Sequence, residues 1–394
     1  MARPNKLQLP RPQSGGGKFF GILALLLLAV GVGVWWIKRT PVAPAPQPLP
    51  APVAPTNQIV TPKPTPPVAT PMPVAELPPT NVVALPRTNV PAPIAKPVTN
   101  TPPDSVSGFP RSPRDVLEAQ IALGRQMISS GSLDGVMGSQ TRAALLAFQR
   151  QAGLPDTGEL DSATRAALVL EAAPLMSYVV TAGDLARLQP LSKTWLGKSQ
   201  QTALDYESVL ELVAEKGHAS PNLVRRLNPG VNWSNVVAGT MVRIPDETHA
   251  PPATKAAFAV ISLGTKQLEV FDGQTNLLAH FPCSIAARVD KRPVGELHVT
   301  AIAPNPDYTF NPEVFPESPE AQQIKSKLIL PPGPNNPVGT AWISLDKPGY
   351  GMHGTPSPEQ VGRTESHGCF RLANWNAEYL VKRVWIGMPV YVEP

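Results

Sequence analysis

Cysteine and charged residues are both scarce in this 394-residue sequence, and each scarcity excludes a class of protein. Two cysteines, Cys283 and Cys369, are too few for a disulfide-based scaffold, although they leave open a single bridge, a metal ligand or a free nucleophile. Asp and Glu are missing from residues 1–39, which contain six of the 34 basic residues. The rest of the chain carries 28 basic and 29 acidic side chains, so it has no excess of positive charge to neutralise phosphates. The sequence therefore predicts no nucleic-acid partner.

The longest apolar run lies near the amino terminus. Residues 19–37 read FFGILALLLLAVGVGVWWI and contain no charge. A helix of this length, rising about 1.5 Å per residue, would span about 28 Å, close to the hydrocarbon thickness of a bilayer. Four basic residues precede the run and two follow it, which favours a cytoplasmic amino terminus. We expect an uncleaved single-pass anchor in the cytoplasmic membrane with everything after it outside the cytoplasm; a cleaved signal peptide is the alternative.

Proline is concentrated directly after this run. Of the 50 prolines in the chain, 21 lie within residues 41–103. No helical or strand periodicity persists in such a sequence, so we expect an extended, solvated linker of polyproline-II type that holds the following domains away from the membrane.

Five divisions of the chain precede the last domain on this interpretation. They are a basic cytoplasmic tail (1–18), a transmembrane anchor (19–37), a proline-rich disordered linker (40–110), a helical segment (113–171) and a mixed α and β segment (178–245). The fold class is therefore multidomain.

Three short helices are predicted for residues 113–171. Ser112 as N-cap and Pro113 at the first helical position predict the start of the first helix. A Gly/Asp-rich loop follows at 131–138, and a third helix is expected near Asp161. The segment carries no catalytic constellation. Residues 133–161, LDGVMGSQTRAALLAFQRQAGLPDTGELD, resemble the three-helix peptidoglycan-binding domain found beside many cell-wall enzymes, which implies peptidoglycan as a partner; a purely structural bundle is the alternative.

Residues 178–245 resemble a LysM glycan-binding module. The resemblance lies in Leu227-Asn228-Pro229-Gly230 and in a closing strand that ends at Pro245. About 25 residues intervene upstream, where a LysM motif would turn directly into its helix. Both a glycan-binding module and a structural spacer are compatible with this pattern.

A mainly β domain is predicted for residues 256–393. The stretch Gln267–Phe271 alternates apolar and polar residues and is followed by Asp272-Gly273, a strong hairpin signal. Further strands are expected at 294–302 and 389–392, and a helix around 378–384. About 140 residues are enough to bury an independent core.

The chemistry-bearing residues are concentrated in this last domain. GMHGT at 351–355 is followed by SHGCFR at 366–371, with glycine beside each functional residue. A thiol needs a base to become an effective nucleophile, and imidazole is the usual partner. His353 or His367 can serve Cys369 as that base.

Two other interpretations of this spacing remain open. One is a zinc site formed by His353, His367 and Cys369 with Cys283 or water, although no paired-ligand C-x-x-C signature is present. The other is a buried thiol with hydrogen-bonded histidines and no catalytic role.

The motif GMHGTPSPEQVGRTESHGCFRL at 351–372 resembles the active-site motif of the L,D-transpeptidase family. This resemblance covers about 256–393 and implies a β-sandwich-like catalytic fold, a peptidoglycan stem-peptide substrate and no metal or organic cofactor. It also implies that Cys369 is the nucleophile and that His353 accepts and donates the proton. The backbone carbonyl of Gly354 would orient His353.

The remaining site residues follow from the same resemblance. His367 is expected to support the substrate or the oxyanion, and the amides of Gly368 and Cys369 to form the oxyanion hole. Arg371 and Ser366 are expected to line the substrate-binding shell. The chemistry of the Arg371 guanidinium suits either of two roles, to favour the thiolate or to hold a substrate carboxylate.

The resulting expectation is a membrane-anchored transpeptidase that cross-links stem peptides outside the cytoplasm. The same first half-reaction serves a carboxypeptidase, with water as acceptor, or an enzyme that attaches a protein amine to the wall. A non-catalytic wall-binding protein is the alternative from a different class.

Overall fold

The computed structural model describes residues 108–249, 254–315, 317–364, 366 and 368–394. The predicted tail (1–18) and anchor (19–37) lie outside the described residues, as does the predicted linker (40–110) apart from its last three positions. Among the described helices, none is both long enough and apolar enough to cross a membrane.

The first described segment is helical, as the sequence predicts. Its helices are α1 (Val116–Arg125), α2 (Ser139–Gln151) and α3 (Ser162–Ala167). The predicted start of α1 is wrong: its N-cap is Asp115, whose carboxylate accepts the N–H of Glu118 at 2.9 Å. The Glu118 carboxylate in turn accepts the N–H of Arg114 at 2.7 Å. The two N–H groups at this end of the helix are therefore satisfied by the side chains of Asp115 and Glu118 and not by Ser112.

The second segment is a two-stranded sheet with helices between its strands. Strand β1 (Leu175–Val179) pairs antiparallel with β2 (Met241–Pro245). Between them lie α4 (Ala182–Ala186), α5 (Trp195–Ser199), α6 (Val209–Lys216) and α7 (Pro221–Leu227). We call residues 187–208 the insertion; it contains α5 and accounts for the extra length seen in the sequence.

These two segments share one hydrophobic core. Leu145 and Phe148 of α2 belong to the same buried cluster as Leu212 of α6 and Val224 of α7. The backbone of Leu133 also bonds the second segment, donating to His218 O at 2.9 Å and accepting from Ser220 N at 2.8 Å. The two segments therefore form one folded body.

The third segment is mainly β, which confirms the predicted class of the carboxy-terminal domain. Its strands are β3 (Phe258–Ser262), β4 (Gln267–Phe271), β5 (Leu277–Pro282), β6 (Gly295–Pro304), β7 (Tyr308–Phe310), β8 (Leu328–Leu330), β9 (Ala341–Leu345), β10 (Gly351–His353), β11 (Phe370–Arg371) and β12 (Pro389–Glu393). The helices are α8 (Pro319–Gln323) and α9 (Asn374–Arg383); α9 begins four residues before the predicted position.

Eight strands join in the order β11-β10-β9-β6-β12-β3-β4-β5, and β7 and β8 form a separate hairpin. Only the β10–β11 and β12–β3 pairs among them are parallel. The first part of β6, Gly295–His298, pairs with β12, whereas the remainder pairs with β9 after a bulge near Val299. The eight strands are thus continuous through β6.

The first segment, residues 113–171, which we call the helical body, lies along the outer strand β5. His280 donates its N–H to Met127 O at 2.9 Å, and its carbonyl accepts the N–H of Ser129 at 2.8 Å. Helix α9 packs on the sheet beside β9 and β10. The short parallel pair β10–β11 at the other end of the sheet carries the motif residues.

Candidate active site

Strand register places the motif residues on one face of the β10–β11 pair. Met352 lies opposite Phe370 and His353 opposite Arg371. Because Met352 and Phe370 are buried in the core, the alternation of strand side chains puts His353 and Arg371 on the other face. Cys369 directly precedes β11 and follows the same alternation. The parallel pair therefore brings Cys369 and His353, the predicted nucleophile and base, to the same side of the sheet.

The imidazole of His353 is held in one tautomer. Its Nδ1 lies 2.6 Å from the carbonyl oxygen of Gly354, and since a carbonyl can only accept, Nδ1 carries the hydrogen. The Nε2 atom therefore keeps its lone pair. The Trp342 ring stacks on the imidazole at 5.4 Å between centroids. Burial lowers the pKa of His353 to about 4, so the ring is neutral at pH 7 and available as a base.

The thiol of Cys369 is also uncharged at neutral pH. Burial raises its pKa to about 11, and the nearby Arg371 charge lowers it by less than burial raises it. Its Sγ lies 3.4 Å from the carbonyl oxygen of Gly349, a distance compatible with a weak S–H donor. The site rests as a neutral thiol beside a neutral imidazole, rather than as the thiolate that the first of the two expected roles of Arg371 would favour.

The turn before the nucleophile is organised by Ser366. Its Oγ donates to Cys369 O at 2.6 Å and accepts the N–H of Gly368 at 3.2 Å. Ser366 itself is tied to a neighbouring segment, because its N–H donates to Ile285 O at 2.8 Å. The Gly368 amide proposed for the oxyanion hole is thus engaged within the turn, and His367 lies outside the described residues.

Arg371 is fixed mainly through its backbone. Its N–H donates to Ser284 O at 3.0 Å and its carbonyl accepts from Ser284 N at 2.9 Å. Its guanidinium Nη2 lies 3.3 Å from Thr364 Oγ1. The charge therefore stands beside the thiol on the face that also carries His353.

Both cysteines are free thiols. Cys283 is fully buried, and burial raises the pKa of its thiol strongly. Its Sγ lies 3.4 Å from the carbonyl oxygen of Ser284. Cys283 is therefore a small buried residue of the carboxy-terminal core. Among the residues that the structure describes, which leave out His367, no group of His, Cys, Asp and Glu side chains could hold a metal ion.

Sequence reasoning missed Asn374, the first residue of α9. The side chain is buried, and its Oδ1 accepts the N–H of Thr355 at 2.9 Å and that of Thr340 at 3.3 Å. Its Nδ2 donates to Pro334 O at 3.2 Å. Asn374 thereby holds the turn that follows His353. No motif signal marks it, because its partners are backbone groups distant in sequence.

Two family models and several curated proteins match parts of this chain. Residues 256–392 match the family model of the L,D-transpeptidase catalytic domain, and residues 112–168 match the model described as "Putative peptidoglycan binding domain". The chain is 26% identical over 185 residues to "Putative L,D-transpeptidase YkuD" of Bacillus licheniformis, which covers 47% of this chain and 93% of that one. It is 26% identical over 182 residues to "Probable L,D-transpeptidase YbiS" of Escherichia coli K12, covering 46% of this chain and 58% of that one.

A solved structure, an L,D-transpeptidase from Mycobacterium smegmatis, aligns with a TM-score of 0.28 at 20% identity, over 40% of this chain and 65% of that chain. Residues 256–392 are thus similar to the catalytic domain of the L,D-transpeptidases, in the family model and in the curated relatives alike. The same chain carries, at 112–168, a segment similar to peptidoglycan-binding domains.

Proposed function

We propose that this chain is a peptidoglycan L,D-transpeptidase that works through a thioester on Cys369 and cross-links stem peptides. The observation that carries the proposal is the arrangement of His353 and Cys369 on one face of β10–β11, with Nδ1 of His353 committed to Gly354 O. This arrangement leaves Nε2 as the base for the thiol.

The first half-reaction cleaves the donor stem. Cys369 Sγ attacks the carbonyl carbon of the third stem residue as its proton passes to Nε2 of His353. The S–C bond forms, and the C–N bond to the terminal D-Ala breaks when His353 returns the proton to the departing nitrogen. Because both groups are neutral at rest, proton transfer accompanies the attack instead of preceding it.

The second half-reaction transfers the acyl group. An acceptor amine, the side chain of diaminopimelate on a neighbouring stem, attacks the thioester and gives its proton to Nε2 of His353. The new amide forms, the C–S bond breaks, and His353 reprotonates the departing sulfur. The family match at 256–392 and the peptidoglycan-binding match at 112–168 support this substrate.

Mass spectrometry of purified muropeptides tests the proposal. The full-length protein, purified in detergent, should convert a disaccharide-tetrapeptide into a cross-linked dimer and free D-Ala, and Cys369→Ala should abolish both products. Tripeptide without dimer would identify water as the acceptor, and transfer to an added lysine-bearing wall protein would identify a protein amine. A folded chain that forms none of these products yet binds peptidoglycan would be the non-catalytic wall-binding protein.

We also propose that the chain is anchored in the cytoplasmic membrane by residues 19–37, with the domains from 108 onward outside the cytoplasm. The charge-free run and its flanking basic residues support this placement. A reporter fused after Pro110 should be active only outside the cytoplasm, and the chain should stay in membranes after a salt wash. Recovery of a soluble protein that begins after Thr40 would contradict the uncleaved anchor.

A further inference from the structure

The insertion at 187–208 packs against a part of the catalytic domain that lies outside the main sheet. A small hydrophobic core forms there, separate from the two larger ones. Leu204 of the insertion is fully buried in it together with Phe310 of β7 and Leu330 of β8. The β7–β8 hairpin therefore has its apolar side covered by residues of the LysM-like segment.

Trp195 is the main aromatic contact of this junction. Its ring stacks on Phe310 with centroids 4.3 Å apart and planes 14° apart, and it lies 5.9 Å from Phe315 and 6.5 Å from Tyr308. The backbone N–H of Trp195, at the start of α5, donates to a carboxylate oxygen of Glu320 in α8. Aromatic stacking and a charge-assisted hydrogen bond thus hold the insertion on the hairpin and on the loop between its strands.

A second contact joins the insertion to the chain after β8. Leu204 N donates to Pro332 O at 2.9 Å, and Leu204 O accepts from Asn335 N at 2.9 Å. Gly333 lies between these partners with a φ of 144°, and a Cβ there would come within 2.2 Å of Leu204 O. Only glycine permits this approach of the two backbones.

Both contacts lead to the turn after His353. The two ends of the hairpin are tied to Asn336, whose Nδ2 donates to Pro331 O at 2.9 Å and lies 3.4 Å from Pro306 O. The carbonyl of Asn336 accepts the N–H of Gly339, and a Cβ on Gly339 would lie 2.6 Å from the carbonyl carbon of Gly354. Pro334, in the segment bonded to Leu204, accepts a hydrogen bond from Asn374, which holds the same turn. The insertion is therefore connected with the turn that carries His353.

We propose that Trp195 is a positioning residue of the transpeptidase: the insertion holds the β7–β8 hairpin beside the turn after His353, where the hairpin contacts the donor stem peptide, so that the LysM-like segment completes the catalytic domain. This inference rests on the proposed function. The proposed contact also explains why the LysM-like segment carries about 20 residues between α4 and α6. The role of these residues is to contact the catalytic domain rather than to bind glycan.

Trp195→Ala in the full chain tests the proposal, with Leu196→Ala as the matched control. Leu196 is the next residue of α5 and is 51% exposed, so its truncation leaves the junction intact. Trp195→Ala should lower kcat/KM for the donor stem about tenfold, chiefly by raising KM, because the loosened hairpin no longer captures the peptide. The pH profile of acylation should stay unchanged, since His353 and Cys369 are untouched. Trp195→Phe should restore most of the loss.

Amide hydrogen exchange keeps the test independent of turnover. In Trp195→Ala, residues 308–330 should exchange at least about tenfold faster, while strands β3 and β4 keep their protection. Gly333→Ala, which attacks the same junction from the other side, should give the same pattern. Unchanged exchange in 308–330 together with unchanged KM in both variants would overturn the inference. If no stem peptide is turned over by the native chain, the proposed function fails, whereas the exchange result still decides whether the insertion holds the hairpin.

Discussion

Asn374 leaves no room for a side chain at Gly354. A Cβ on Gly354 would lie 2.2 Å from Asn374 Oδ1, and the carbonyl of the same glycine is the acceptor that fixes the tautomer of His353. Asn374 therefore packs directly against the residue whose carbonyl holds the hydrogen of His353 on Nδ1.

Gly354→Ala should lower the acylation rate about 10²-fold, because the added methyl group displaces the turn whose carbonyl orients His353. Asn374→Ala alone should lower the rate less and should destabilise the fold by about 1–3 kcal/mol for each N–H left without an acceptor. In the double variant the methyl group finds space, so the two effects should be less than additive. Stopped-flow acylation measures the rate, and urea unfolding the stability, of the native chain, the two single variants and the double variant. Strict additivity would contradict the steric argument.

The acylation rate of the native enzyme should be flat between about pH 5.5 and 9. The reactive pair is a neutral thiol and a neutral imidazole, with the pKa of His353 near 4 and that of Cys369 near 11, so neither group titrates in this window. The rate should fall only as the pH drops towards 4, where His353 takes up a proton and stops acting as a base.

His353→Ala should change how the acylation rate depends on pH, and it should also lower the rate. Without the base only the thiolate reacts, and below a pKa of about 11 its fraction grows about tenfold per pH unit. At neutral pH the variant should be about 10²- to 10⁴-fold slower. A native profile with an ordinary imidazole midpoint between pH 6 and 7 would contradict the neutral resting pair.

A carbapenem should form one covalent adduct per chain, on Cys369. Opening of the strained lactam resembles attack on the donor stem, and the family resemblance implies that carbapenems suit this site better than most penicillins. Cys369→Ser should lose the adduct, because a lone imidazole does not activate an alcohol as it does a thiol. Cys283 is an internal control, since its buried thiol has a raised pKa. Intact mass and peptide mapping give the outcome, and an adduct on Cys283 would refute the assignment.

The full chain should sediment with insoluble peptidoglycan through its helical body. Because this body shares one core with the LysM-like segment, the contact is better tested by surface substitution than by excision of 113–171. Val136 lies in the Gly/Asp loop and is 57% exposed, whereas Val237 of the LysM-like segment is 59% exposed. Val136→Asp should lower the sedimented fraction, as a charge opposes apolar contact with the wall, and Val237→Asp should not. Equal losses of the sedimented fraction in the two variants would contradict binding through the Gly/Asp loop of the helical body.

Local patterns in the sequence predicted three strands of the carboxy-terminal domain, which the structure has as β4, β6 and β12. The predicted bounds of β4, Gln267–Phe271, are those observed. The spacing of His353 and Cys369 left three kinds of site open, and only the resemblance to a family motif singled out a nucleophilic one. The start of α1 was misplaced because Asp115, three residues after Ser112, accepts the N–H of Glu118 and so caps the helix.

Long-range contacts were not predictable in the same way. Trp195 and Phe310 are more than a hundred residues apart, and neither belongs to a motif. The neutral thiol was also missed, because the Arg371 charge is visible in the sequence whereas the burial that outweighs it is not.

The pairing of β5 with the helical body has a consequence for solubility. Strand β5 reads LLAHFP, an apolar edge strand that would be ready to pair with another chain if its outer hydrogen-bonding groups were open. Met127 and Ser129 occupy those groups at His280. The helical body therefore covers this edge at His280, and a carboxy-terminal domain cut free near residue 255 would expose it to pairing with a second chain.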